Sequence, residues 1–142
     1  MNNLNGSNRD VKADIALFLA RLFVGFAMLT HGFPKLQQLI GGKTADFYDF
    51  LGMGTTVSLI LAVFAEFVCS IFIILGLFTR LAAGFLLITM FIAAFMVHGA
   101  DPFADREMSL LYATIYLLIV AIGAGKISVD YMIEKRKRAS DW

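Results

Sequence analysis

Four apolar runs, each close to the length of a membrane crossing, leave this chain few folds to adopt. A helix rising 1.5 Å per residue needs about 20 residues to cross a hydrocarbon core of about 30 Å. The runs from about Asp14 to Ile40, Thr55 to Phe78, Leu81 to Val97 and Glu107 to Gly125 meet that length, the third only just. In lipid, every backbone N–H and C=O must find a partner within the spanning structure, so such runs read as helices. Composition points the same way, with 59% hydrophobic and 16% charged residues, where soluble domains run at about 45–50% and about 25%. The expected fold is an all-α membrane protein, a four-transmembrane-helix bundle. A net charge of +1 gives no electrostatic footprint for a nucleic-acid partner. The single cysteine, Cys69, excludes an internal disulfide. No signal peptide is expected, because the first run follows a polar lead and lacks a small-residue cleavage site.

The chain then divides into a polar, loose N-terminal lead (1–13), a four-helix transmembrane domain (14–126) and a basic C-terminal tail (127–142). Pro34 removes one helical donor and is expected to bend or end the first helix near Gly32. Gly41-Gly42 breaks it. Residues 43–54 alternate acids with aromatics, which suits a segment lying at the membrane interface. Thr79-Arg80 forms a tight turn, and Ala100–Arg106 a loop. Four spans put both termini on one side, with Arg9, Lys12, Arg80, Lys126 and Lys135-Arg136-Lys137-Arg138. The other side has Lys35, Lys43 and Arg106. The basic excess places both termini in the cytoplasm, and the expected location is the cell inner (cytoplasmic) membrane, as a multi-pass protein. His31, Lys35, His98 and Glu107 then lie toward the outer face. The basic tail would touch anionic lipid or a partner. A weak repeat of two helical hairpins is visible: Arg21-Leu-x-x-Gly-Phe26 recurs as Arg80-Leu-x-x-Gly-Phe85, and His31-Gly and His98-Gly follow the two copies.

Ionisable groups inside such runs cost roughly 2.5–3.5 kcal/mol each on insertion scales and so need partners. At 3.6 residues per turn, Arg21, Gly25, Met28, Gly32 and Lys35 share one stripe of the first helix, with His31 beside it. The second helix carries Glu66 on a face with Ala62, Cys69, Ser70 and Ile73. On the third, Gly84, Leu87, Phe91, Ala94 and Phe95 lead to His98. On the fourth, Glu107 aligns with Leu111, Thr114, Leu118, Ala121 and Gly125. These stripes are expected to face inward, with Arg21 and Glu66 as a buried pair. His31, Lys35, His98 and Glu107 form a second cluster that could carry protons or hold a polar head group. The same pair read as architecture is a salt bridge fixing helix register, with Lys35 and His98 marking the interface. Cys69 reads as core packing. No His-xxx-His or tight Cys/His cluster supports a metal site.

The pattern Arg21…Gly25…His31-Gly32-x-x-Lys35, then Glu66, then Leu75-Gly-Leu-Phe-Thr-Arg80-Leu-Ala-Ala83, then His98, resembles the DoxX family of small bacterial membrane proteins, over roughly Ile15 to Asp130. The resemblance implies a four-helix membrane bundle with Arg21, His31, Lys35, Glu66, Arg80 and His98 as family positions. It further implies a quinone-linked redox role, the family being associated with a thiosulfate:quinone oxidoreductase and with complexes of thiol and superoxide enzymes. No flavin, haem or nucleotide motif is present, so no covalently bound cofactor is expected, and a quinone or a redox partner would supply the electron chemistry. The candidate catalytic groups are Glu66, His31 and His98. The candidate ligand-binding groups are Arg21, His31, Lys35, Glu66, His98 and Glu107. Three functions compete: a quinone-binding redox component, a non-enzymatic assembly or docking subunit for a soluble or membrane redox partner, and a proton or small-solute transporter acting as a homo-oligomer.

Overall fold

The computed structural model describes residues 3–50 and 52–140. The extremes of the two expected terminal segments, residues 1–2 and 141–142, lie outside the described residues. Five helical rods follow one another: α1 (Asn3–Ile40), α2 (Thr55–Leu75), α3 (Thr79–Val97), α4 (Phe103–Ile122) and α5 (Val129–Ser140). No strand occurs among the described residues. Val11–Ile40, Thr55–Leu75 and Thr79–Val97 are long and apolar enough to cross a membrane. The chain is a helical membrane protein.

α1 packs along α2, and α3 along α4, giving two helical hairpins joined where α3 meets α2. The core between them is made by Val24, Met28, Ile73, Leu86, Tyr116 and Ile119 with small Ala82, Ala83 and Ala113. α1 continues unbroken past Pro34 to Ile40 rather than ending near Gly32. Proline removes one donor, whereas ending a helix inside lipid would strand several backbone groups, so the smaller loss is kept. The helix also starts at Asn3, ahead of the expected Asp14.

Both α2 and α3 contain a π-helical stretch, Phe64–Cys69 and Ala93–Val97. The second is closed by the His98 N–H donating to Ala93 O at 3.0 Å, five residues back. Two of the expected stripes are corrected, the α3 one through its π stretch. On α3 the inward face is Ala82, Ala83, Leu86, Met90 and Ala94, while Phe91 and Phe95 are exposed. The extra residue of the π turn rotates the face by about 100°, so counting back from His98 at helical period lands on the wrong side. On α4 the inward face is Ala113, Tyr116 and Ile119, while Glu107, Leu111 and Leu118 are exposed. That helix begins at Phe103, and its polar inward stripe is Asp105, Ser109, Tyr112 and Tyr116 instead.

One end of the bundle is clasped by polar contacts. α2 closes in a Schellman motif, with Gly76 at φ 70° and the Leu77 N–H donating to Phe72 O at 3.0 Å. Phe78 then adopts the left-handed conformation at φ 46°, uncommon for a bulky residue. Its N–H and that of Thr79 donate to the two Asp130 carboxylate oxygens at 2.8 and 2.9 Å. The Asp130 N–H donates to Gly76 O at 2.8 Å. The Lys126 N–H donates to Asp14 Oδ1 at 3.0 Å. Residues 126–130, expected as the beginning of a tail, therefore staple α1 to the α2–α3 turn. Asp130→Ala should cost about 1–2 kcal/mol, the range of a lost helix cap, read as a lowered Tm in detergent. The like-shaped Asp130→Asn should recover part of the loss.

Candidate functional site

Gly32 sets the register between α1 and α2. A Cβ built on it would lie 2.6 Å from the Glu66 carbonyl carbon and 2.8 Å from the Phe67 nitrogen, so the two backbones touch there. One turn beyond Gly32 on the same stripe stands Lys35, whose ammonium donates to both Glu66 carboxylate oxygens. The Glu66 side chain is 4% exposed and that of Lys35 29%. Glu66 lies within the π stretch of α2, and the Ser70 hydroxyl donates to its carbonyl oxygen at 2.7 Å, satisfying a backbone acceptor that the disturbed ladder serves poorly.

Arg21 and Glu66, expected as partners, do not meet. Arg21 and Lys35 are fourteen residues apart on one helix, about 21 Å of rise. The Gly32 contact brings Glu66 opposite the upper end. Arg21 is fully buried at the lower end, where it donates to Ile127 O at 2.6 Å, stacks beside Phe18 at 5.9 Å, and packs against Gly76. Arg21 thus belongs to the clasp, and Arg80 joins it there, its guanidinium packed over Gly123.

Two cavities meet at the Lys35–Glu66 pair, and Ala93 and His98 also line both. The larger, about 500 Å³, lies between α2 and α3 under the 43–54 loop. Its wall is aromatic, with Phe47, Tyr48, Phe50, Phe64 and Phe85. Tyr48, Phe64, Phe85 and Ile88 are also exposed on the outside of the bundle, so this cavity opens sideways, toward where lipid would lie. Phe64 and Phe85 meet edge to face at 5.5 Å. The loop is held over it by Asp49, which accepts from the Gly54 N–H at 2.9 Å and the buried Ser58 hydroxyl at 3.0 Å. The smaller cavity, about 230 Å³, lies between α1 and α4 and is lined by His31, Asp105, Ser109 and Tyr112 besides Met28 and Met90. The His31 ring meets Tyr112 edge to face at 6.1 Å, and His98 Nδ1 lies 2.8 Å from Asp101.

The DoxX family model matches residues 16–99, which include α1 from its second turn in the membrane-length segment through all of α2 and α3. The chain belongs to the DoxX family. A Haemophilus influenzae protein named only as uncharacterised is 35% identical, the match covering 84% of this chain and 92% of that one. The Escherichia coli inner membrane protein YphA is 30% identical, over 92% of this chain and 99% of that one. No solved structure matches the chain.

Within this DoxX chain, the expected site residues separate into two groups. Lys35, Glu66, His98 and His31 come together around the two cavities; Arg21 and Arg80 are gathered at the opposite end. Glu107 is exposed and lines neither cavity. Its place is taken by Asp105, which shares a helical face with Ser109 and Tyr112, whereas Glu107 falls off that face. Asp105, Ser109, Tyr112 and the aromatic residues of the 43–54 loop are the site residues that the sequence reading missed. The Asp105–Ser109–Tyr112–Tyr116 spacing was the available signal for the first three.

Proposed function

We propose that this protein is a quinone-linked component of a redox system in the inner membrane, crossing the bilayer four times with both termini in the cytoplasm. The observation that carries the reading is the aromatic, sideways-opening cavity of about 500 Å³ that ends on Lys35, Glu66 and His98. An apolar pocket with a few convergent polar groups is the usual form of a small-molecule site. A quinone suits it chemically: the tail and ring lie among Phe47, Phe50, Phe64 and Phe85, and a carbonyl oxygen accepts from the Lys35 ammonium or the His98 ring. Electrons come from a redox partner. α4, with Asp105 and Arg106 in its first turns, is the fourth crossing, and the basic α5 with the Arg80 turn faces the cytoplasm by the positive-inside bias. The relative named as an inner membrane protein supports the location.

An assembly or docking role is the second reading. It is favoured by α5, which carries Lys135, Arg136, Lys137 and Arg138 and has no buried residue.

A short-tailed quinone analogue should bind saturably to the protein in nanodiscs. Lys35→Met and Glu66→Gln should each weaken it about ten- to a hundredfold, the loss of a charge-assisted hydrogen bond of about 1.5–3 kcal/mol. Arg21→Met should lower Tm and leave the affinity where it was. Absence of saturable binding by the parent protein would remove the quinone reading and leave the docking one.

A further inference from the structure

We propose that the smaller cavity, between α1 and α4, is a separate proton-access vestibule, which exchanges protons between the aqueous phase at the loop end of the bundle and the Lys35–Glu66 pair while the ligand enters the larger cavity from the lipid side. The identity of that ligand rests on the quinone reading; the division into two compartments rests on the geometry.

The two cavities share a wall and differ in chemistry. The larger is aromatic and aliphatic along its length. The smaller brings His31, Asp105, Ser109 and Tyr112 onto the same pair. A hydrocarbon tail gains nothing by lying against unpaired polar groups, whose desolvation is costly. Water gains partners there. A volume of about 230 Å³ holds roughly seven waters at about 30 Å³ each. Asp105 is exposed near the start of α4, and His31 is exposed on α1, so the polar lining runs from the loop end of the bundle inward to Glu66.

Every helix packed around the pair presents a group able to donate or accept a proton. α1 contributes His31 and Lys35, and α2 contributes Cys69 beside Glu66 itself. Just past the end of α3 stands His98, oriented by Asp101. α4 contributes Asp105 and Tyr112, while Tyr116, one turn further on, is fully buried in the core and lines neither cavity.

The proton step is paired with reduction of the ligand. As each electron reaches the quinone from the redox partner, Lys35 Nζ gives a proton to the ligand oxygen it contacts, and the vestibule returns one to Nζ through water, with Glu66 holding the ammonium in place. The net change is one electron from the partner and one proton from the aqueous phase added to the ligand. His98, which lines both cavities, can act in the same relay on the ligand side.

Two bulky substitutions separate the compartments. Ser109→Trp fills the vestibule; Thr89→Trp fills the larger cavity. Stopped-flow infrared spectroscopy after mixing into D2O, on protein in nanodiscs, reads the small shift of the Glu66 carboxylate band as the protons of its Lys35 partner exchange, assigned by its loss in Glu66→Gln. In the parent the band should shift promptly. In Ser109→Trp it should lag roughly tenfold or more, with quinone-analogue binding retained. In Thr89→Trp the band should respond as in the parent and the analogue should no longer bind. A second plug, Met108→Trp, repeats the test if Ser109→Trp unfolds early. A prompt response in a folded, plugged vestibule overturns the proposal, as does a lag produced by Thr89→Trp instead. If the lag appears as expected while the parent binds no quinone analogue, the vestibule stands and the quinone reading falls.

Discussion

Lys35→Met should destabilise the protein by about 3–5 kcal/mol, the usual consequence of removing one partner from a buried ion pair. The asymmetry of the pair gives the prediction its shape. The Glu66 side chain is 4% exposed and that of Lys35 29%, so without Lys35 the carboxylate is left in an apolar wall, while without Glu66 the ammonium still reaches the polar cavity. Glu66→Gln alone should therefore cost less than Lys35→Met alone. The double variant Lys35→Met/Glu66→Gln should recover much of the loss, because replacing both members of a buried pair is often close to neutral. Thermal unfolding of the four proteins in one detergent completes the cycle. A double variant no more stable than Lys35→Met would show that the ammonium is held for its packing rather than its charge.

Gly32→Val should be nearly as damaging. Even a single Cβ at this position would sit 2.6 Å from the Glu66 carbonyl carbon and 2.7 Å from its oxygen. Those are backbone atoms, which cannot turn aside as a side-chain tip can. Overpacking of this kind costs about 1–3 kcal/mol for an added methylene or two, and a branched side chain lies at the top of that range. The helices must separate, and that draws Glu66 away from Lys35. The expected signature is a lowered Tm together with weakened analogue binding, since one contact sets both the packing and the pair. Gly84→Val is the control: a Cβ at Gly84 meets nothing within 4 Å, so both properties should stay near those of the parent.

The inward stripe of α1 was legible because a regular helix obeys its period, and Arg21, Gly25, Met28, Gly32 and Lys35 carry the two extremes of side-chain type that such a stripe sorts. The face of α2 carrying Glu66, Cys69, Ser70 and Ile73 was legible for the same reason. The partner of Glu66 was not. Register between two helices depends on where their backbones first touch, and the sequence offered two glycines, Gly25 and Gly32, for that contact. Placing Glu66 by its distance from the middle of its own apolar run set it level with Arg21, some three turns from where Gly32 holds it. The α3 and α4 faces were misassigned by phasing each helix on a single polar residue, His98 on one and Glu107 on the other. One lay beyond a π turn and the other on the exposed side. The 43–54 loop could be read as aromatic and acidic, but not as the roof of a cavity, because its position depends on Asp49 reaching Ser58 in the next helix.

The π stretches of α2 and α3 have a consequence for how insertions and deletions would read in this molecule. A π turn accommodates one residue more than the α-helix on either side of it. Removing a single residue between Phe64 and Cys69, or between Ala93 and Val97, should restore an uninterrupted α-helix rather than break one. The rod would survive, with its remaining residues still bonded along the axis, but everything on one side of the deletion would turn by about 100° relative to the other. The charge-bearing wall of both cavities would swing out of alignment while the helical content stayed the same. A folded, fully helical protein with its two cavities dismantled is thus one residue away in each of two places, and both of those places border the pair.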